Sequence, residues 1–206
     1  MTNLFVLFVA AFLLPLMFHS WRVAVFGLGV QGFVLGLILL ATHERSIMLV
    51  VEAGNLFIVR AVLVPWLLLR SMGNIQLEPS FSLIKKSFAQ WFLIFLIILA
   101  GSIFGRFLSP DDSIQAFQVG TAAIAILTGF LILANQRHVI GQVVGVITFE
   151  GGLTLVELLS KHAIPLEVYS IISIVFIFLL LTLVDFINKF KITSRQDDLL
   201  IDGIVL

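Results

Sequence analysis

The chain has 206 residues, of which 60% are hydrophobic and 12% charged, where a soluble domain carries about 25% charged residues. Its twelve basic and twelve acidic residues cancel, which excludes a global field attracting nucleic acid, and the absence of cysteine excludes disulfides, thiolate metal sites and iron–sulfur ligation. With a mean hydropathy of +1.17, this is the composition of a chain solvated by lipid.

A bilayer core needs about 20 apolar residues per helix, and backbone groups in lipid must be satisfied within the helix itself. The first candidate span, Thr2–Phe18, has no basic region ahead of its apolar run and reads as a retained helix rather than a cleaved signal. Arg22–Ala41 follows after His19, Ser20 and Trp21, and Ser46–Met72 follows after Thr42–Arg45. Gly73–Ser87 is the longest connection, with room for a short interfacial helix. Beyond it come Phe88–Leu108, the turn Ser109-Pro110-Asp111-Asp112, and Ile114–Ala134. The last two candidates are Val139–Leu159 and Pro165–Ile187. No strand alternation competes with them. The predicted fold is an all-α integral membrane protein: a transmembrane domain over residues 1–191 with seven helices, and a short cytoplasmic tail over 192–206.

Orientation follows from basic residues near the span ends. Eight of them, Arg22, Arg70, Lys85, Lys86, Arg137, Lys189, Lys191 and Arg195, fall on one side of the membrane, against Arg45, Arg106 and Lys161 on the other. The richer side is cytoplasmic, which places the C-terminus in the cytoplasm and the N-terminus outside. The third span is the one whose re-entry would upset this count, because it is long and carries Pro65. The tail ITSRQDDLLIDGIVL is acidic and too short to cross; it is either a solvated end or a docking strip for a cytoplasmic partner.

Ionisable side chains near the bilayer centre cost about 2.5–3.5 kcal/mol on insertion scales, so they face a partner helix or a wet cavity. Glu150 is the twelfth residue of the sixth span and lies near the midplane. Arg60 lies fourteen residues into the third span, roughly 21 Å along its axis, and Glu52 lies in its outer half. Glu157 follows Glu150 by seven residues, which keeps both carboxylates on nearly one face about 10 Å apart. Glu167, near the start of the seventh span, is on the same outer side as Glu157. A carboxylate in low dielectric can exchange a proton with a hydrated path. Glu150 is the deep member of such a relay, with Arg60 as counter-charge and Glu52, Glu157 and Glu167 as further candidates. The plain alternative is an ion pair that locks two helices, with Glu157 and Glu167 merely interfacial.

Gly32 and Gly36, Gly101 and Gly105, and Gly141 and Gly145 are small pairs four apart, which permit close helix approach in lipid. Thr148 and Gly152 continue the sixth-span stripe. The run from Gly27 to Gly32 matches Gly-x-Gly-x-x-Gly, but it lies inside a membrane span with no strand before it, so the dinucleotide reading fails. His19, His43, His138 and His162 sit at span ends without ligand spacing, and no metal, haem or other cofactor site is expected. No Ser–His–Asp arrangement points to catalysis.

The sixth span, from Arg137 through Gln142, Gly145 and Glu150 to Gly152, resembles a helix of component E of hydrogenase-4 and the related formate hydrogenlyases. It is also similar to the glutamate-bearing helix of the small K subunit of respiratory complex I. The stretch Leu56–Pro65 resembles that family's basic-residue-then-proline helix, with Arg60 where lysine is expected. The resemblance implies a non-catalytic membrane subunit of a redox complex, with residues 113–191 as a K-like three-helix core. Glu150 takes the place of the intramembrane glutamate, and Arg60 that of the intramembrane base. It also implies antiporter-like partner subunits, a multi-pass location in the inner membrane, and a role in proton or sodium translocation. Two positions depart from the pattern: Gly151 stands where asparagine is expected, and the seventh span carries its acids, Glu167 and Asp185, near its ends. The final proton partner would then belong to a neighbouring subunit, or the chain would be mainly structural. A stand-alone small transporter is the rival from another class, against which no paired broken helices or inverted halves are visible.

Overall fold

The computed structural model describes residues 2–18, 20–42, 47–73, 87–136 and 139–159, together with Val175, Phe178 and Thr182. These residues are helical apart from short connections, and there is no strand among them. The helices are α1 (Thr2–Met17), α2 (Trp21–Thr42), α3 (Ile47–Gly54), a π-helical segment (Asn55–Leu63), α4 (Val64–Gly73), α5 (Ser87–Leu108), α6 (Ser113–Asn135) and α7 (Val139–Leu159). The first six expected spans agree with these bounds to within a residue at each end.

Among the described residues, five rods are long and apolar enough to cross a membrane: Trp21–Thr42, Leu49–Arg70, Trp91–Leu108, Ser113–Asn135 and Ile140–Leu159. α1 is a shorter apolar helix of 16 residues. Most of the seventh expected span, Pro165–Ile187, lies outside the described residues, as do Glu167 and the tail 192–206.

α3, the π segment and α4 follow one another without a break, forming one continuous third rod through Pro65. Its irregularity is a change of hydrogen-bond register: the Val64 N–H donates to the carbonyl of Val59, five residues back. The cause lies immediately downstream. Pro65 has no N–H, and in an α-helix its ring would press on the carbonyl of Ala61. Widening the turn ahead of the proline relieves that crowding. α2 accommodates the wide turn with glycine: a Cβ on Gly29 would lie 2.9 Å from the Ala61 carbonyl oxygen, and one on Gly32 would lie 2.9 Å from the Arg60 carbonyl carbon.

Two groups of helices pack against each other. α1, α2 and the third rod form one; α5, α6 and α7 form the other, with α6 in extensive contact with both its neighbours. The groups meet where α2 touches α7 and α1 touches α6. Glycine again sets the approach: a Cβ on Gly105 would collide with the Ala116 carbonyl oxygen, and one on Gly129 with the backbone N of Phe149. The buried core includes Phe5, Phe8, Phe12, Leu35, Leu56, Ile132 and Leu155. The outside is equally apolar, with Phe26, Ile58, Phe88, Phe95, Phe107 and Phe130 exposed, as lipid solvation requires.

Several hydroxyls inside the rods are satisfied by their own helix. The hydroxyls of Thr42, Ser102, Thr121 and Thr148 each donate to the carbonyl four residues back at 2.8 Å. Asp112 caps α6, its carboxylate accepting from Ile114 N at 2.8 Å and Gln115 N at 3.1 Å. At the end of the third rod the Arg70 guanidinium sits 5.4 Å from the Trp66 ring centroid, a cation–π pair one turn apart.

Candidate functional site

The site begins with a proline in α1. Pro15 cannot donate to the carbonyl of Ala11, four residues back, so that carbonyl is freed inside an apolar environment. Gln31 of α2 supplies the missing donor, its Nε2 donating to Ala11 O at 3.3 Å. This bond also fixes which way the carboxamide faces, because an oxygen turned toward Ala11 O would be repelled. Gln31 is 2% exposed, and its Oε1 is turned toward α7. A Cβ on Gly151 would lie 4.0 Å from that oxygen.

The neighbour of Gln31 is Gly32, which lets the Arg60 backbone approach α2. The neighbour of Gly151 is Glu150. Arg60 and Glu150 close the triangle: the Arg60 guanidinium (Nη2) pairs with the Glu150 carboxylate (Oε2), and the side chains are 7% and 18% exposed. The third rod and α7 therefore meet through a polar pair, with α2 packed close to the Arg60 backbone at Gly32. The second oxygen of Glu150, Oε1, accepts from the Thr154 hydroxyl at 3.3 Å, and that hydroxyl also donates to the Glu150 carbonyl at 3.0 Å.

Of the five residues expected from the sequence, the structure brings Arg60 and Glu150 into direct contact. Glu157 lies further along α7, half-buried. Glu52 is 1% exposed on α3, about 12 Å ahead of Arg60 along the rod axis. Glu167 lies outside the described residues. Gln31 and Thr154 were not anticipated. A signal for Gln31 was present, since an amide halfway along an apolar span needs a partner as surely as a charge does. The signal for its partner was Pro15, which always frees a carbonyl. A separate apolar cleft of about 980 Å³ opens between α1, α5 and α6, with Arg106 among its lining residues. None of its lining residues belongs to the third rod or to α7.

Chemically, the arrangement is a carboxylate withdrawn from water with a fixed cation on one oxygen and a hydroxyl on the other. A proton delivered to Glu150 would compete with Arg60, so pairing and protonation are linked. A scan against protein-family models, a search of curated proteins and a search of solved structures each found no match.

Proposed function

We propose that this chain is a non-catalytic membrane subunit of a complex I-related redox complex of the hydrogenase-4 or formate hydrogenlyase type. In this reading it has seven spans, with its N-terminus outside and its C-terminus in the cytoplasm of a cell bounded by that inner membrane. It contributes to proton or sodium translocation alongside antiporter-like subunits and holds no cofactor. The carrying observation is the Arg60–Glu150 pair, buried between two helices of membrane-spanning length. Ionisable groups are retained at such a depth chiefly where charge or protons move.

The test is Glu150→Gln in the assembled complex, with ion movement per electron pair measured in inverted membrane vesicles. Coupled translocation should collapse while the complex still assembles. Unchanged coupling in an assembled complex contradicts the reading. It would favour the second one, a structural spacer, in which the same pair only locks the third rod to α7. A stand-alone transporter predicts something else again: purification in mild detergent would yield a partner-free chain that moves solute in liposomes.

A further inference from the structure

The cleft of about 980 Å³ between α1, α5 and α6 shares no lining residue with the Arg60–Glu150 pair. Its lining runs from Ile98 to Ser109 on α5 and the residue after it, and from Ser113 to Ile124 on α6. At the usual rise each run covers about 16 Å, roughly half of a ~30 Å hydrocarbon core. α5 and α6 are antiparallel, since Gly105 meets Ala116 while Gly101 meets Ile124. The cleft therefore starts at the turn joining them and reaches about as deep as one leaflet. A transmembrane helix of another chain would need a groove for about 20 residues, twice that depth. Polar character is confined to the turn end, where Arg106, Ser109 and Ser113 line the cleft. Ser102 and Thr121 lie deeper, but their hydroxyl hydrogens are donated to the carbonyls of Ile98 and Phe117 at 2.8 Å.

We propose that this cleft binds a phospholipid whose headgroup carries both a phosphate and a primary ammonium, as in phosphatidylethanolamine. Its acyl chains fill the apolar recess, and its phosphate takes Arg106. The side chain of Arg106 is exposed, and among the described residues it makes no ion pair. Its planar fork of donors suits a phosphate. The headgroup follows from the charges beside it. Asp111 and Asp112 are the two residues between Pro110 and Ser113, both of which line the cleft, and both aspartates are exposed. Two carboxylates beside one guanidinium leave this end with a net negative charge, which disfavours a headgroup that is only anionic. A headgroup with an ammonium answers both signs at once, and the primary amine offers hydrogens to carboxylates that a quaternary amine lacks. This site stands apart from the translocation reading and does not depend on it.

The experiment is native mass spectrometry of the full chain released from nanodiscs of equimolar phosphatidylethanolamine, phosphatidylglycerol and phosphatidylcholine. The wild type should retain phospholipid, with phosphatidylethanolamine favoured over phosphatidylglycerol by about 2- to 5-fold, the worth of an exposed ion pair. Arg106→Gln should lower retention of all three by a similar factor. Asp111→Asn should leave total retention unchanged and remove the preference for phosphatidylethanolamine; Asp112 is left in place because it caps α6. Ala10→Phe fills the cleft from an exposed position on α1 and should lower retention of every phospholipid. Arg106 and Asp111 are exposed, so their variants keep the fold and decide the matter even if Ala10→Phe does not fold. The proposal is overturned if the wild type retains no phospholipid, if it retains phosphatidylglycerol as well as phosphatidylethanolamine, or if Arg106→Gln retains as much as the wild type. Failure of the functional reading has a different signature: phospholipid retention behaves as described, while Glu150→Gln leaves coupled ion movement intact.

Discussion

Replacing Gln31 with leucine keeps the volume of the side chain but removes the donor to Ala11 O. The freed carbonyl is then buried without a partner, a loss worth about 1–3 kcal/mol. The bond is 3.3 Å long, toward the weak end of the usual range, so the lower half of that interval is expected. The decisive comparison is between backgrounds. With Pro15→Ala in place, the backbone N–H of residue 15 reaches Ala11 O by the normal α-helical bond, and Gln31 becomes dispensable for that purpose. Gln31→Leu should therefore cost about 1–2 kcal/mol with proline at position 15 and under about 0.5 kcal/mol with alanine there. Reversible unfolding of the four proteins in mixed micelles measures both quantities. An equal cost in the two backgrounds would refute the reasoning, because the amide would then be serving something other than the carbonyl that Pro15 frees.

Other consequences concern caps and glycines. Asp112→Ala removes the acceptor for two free amides of α6 and should lower stability by about 1 kcal/mol in the same assay. Gly129→Ala pushes a methyl group into the backbone of α7 and should cost about 1–3 kcal/mol, through separation of α6 from α7. Gly54→Ala is the opposite case: nothing lies within 4 Å of the new Cβ in a helical backbone, so it should stabilise by about 0.5–1 kcal/mol. If Gly54→Ala and Gly129→Ala shifted the unfolding midpoint in the same direction, the packing account of these glycines would be wrong.

The spans were legible because the bilayer imposes a length and a hydropathy that few other structures share, and linkers such as Ser109-Pro110-Asp111-Asp112 announce their turns in residue type. The depth of Arg60 and Glu150 was also legible, since each charge stands alone in an apolar run. Arg60 was expected as the counter-charge of Glu150, and the structure pairs them; which carboxylate oxygen it takes and that Thr154 holds the other depend on how the third rod and α7 rotate toward each other, which residue spacing does not state. Pro65 was visible as an irregularity, yet a proline can kink, break or widen a helix, and only packing on Gly29 and Gly32 decides which. The role of Gln31 is hidden for a similar reason. Its meaning comes from Pro15 on another helix, and the sequence separation of the two conceals the link.

The central claim is that Arg60 and Glu150 form a buried pair tying the third rod to α7. A double-mutant cycle with Arg60→Met and Glu150→Leu, read by unfolding in mixed micelles, tests it directly. Each single change leaves the other charge buried and should cost about 3–5 kcal/mol. The double variant should cost less than the two singles together by about 2–3 kcal/mol. Additivity within about 0.5 kcal/mol would mean that the two charges do not meet in the folded protein.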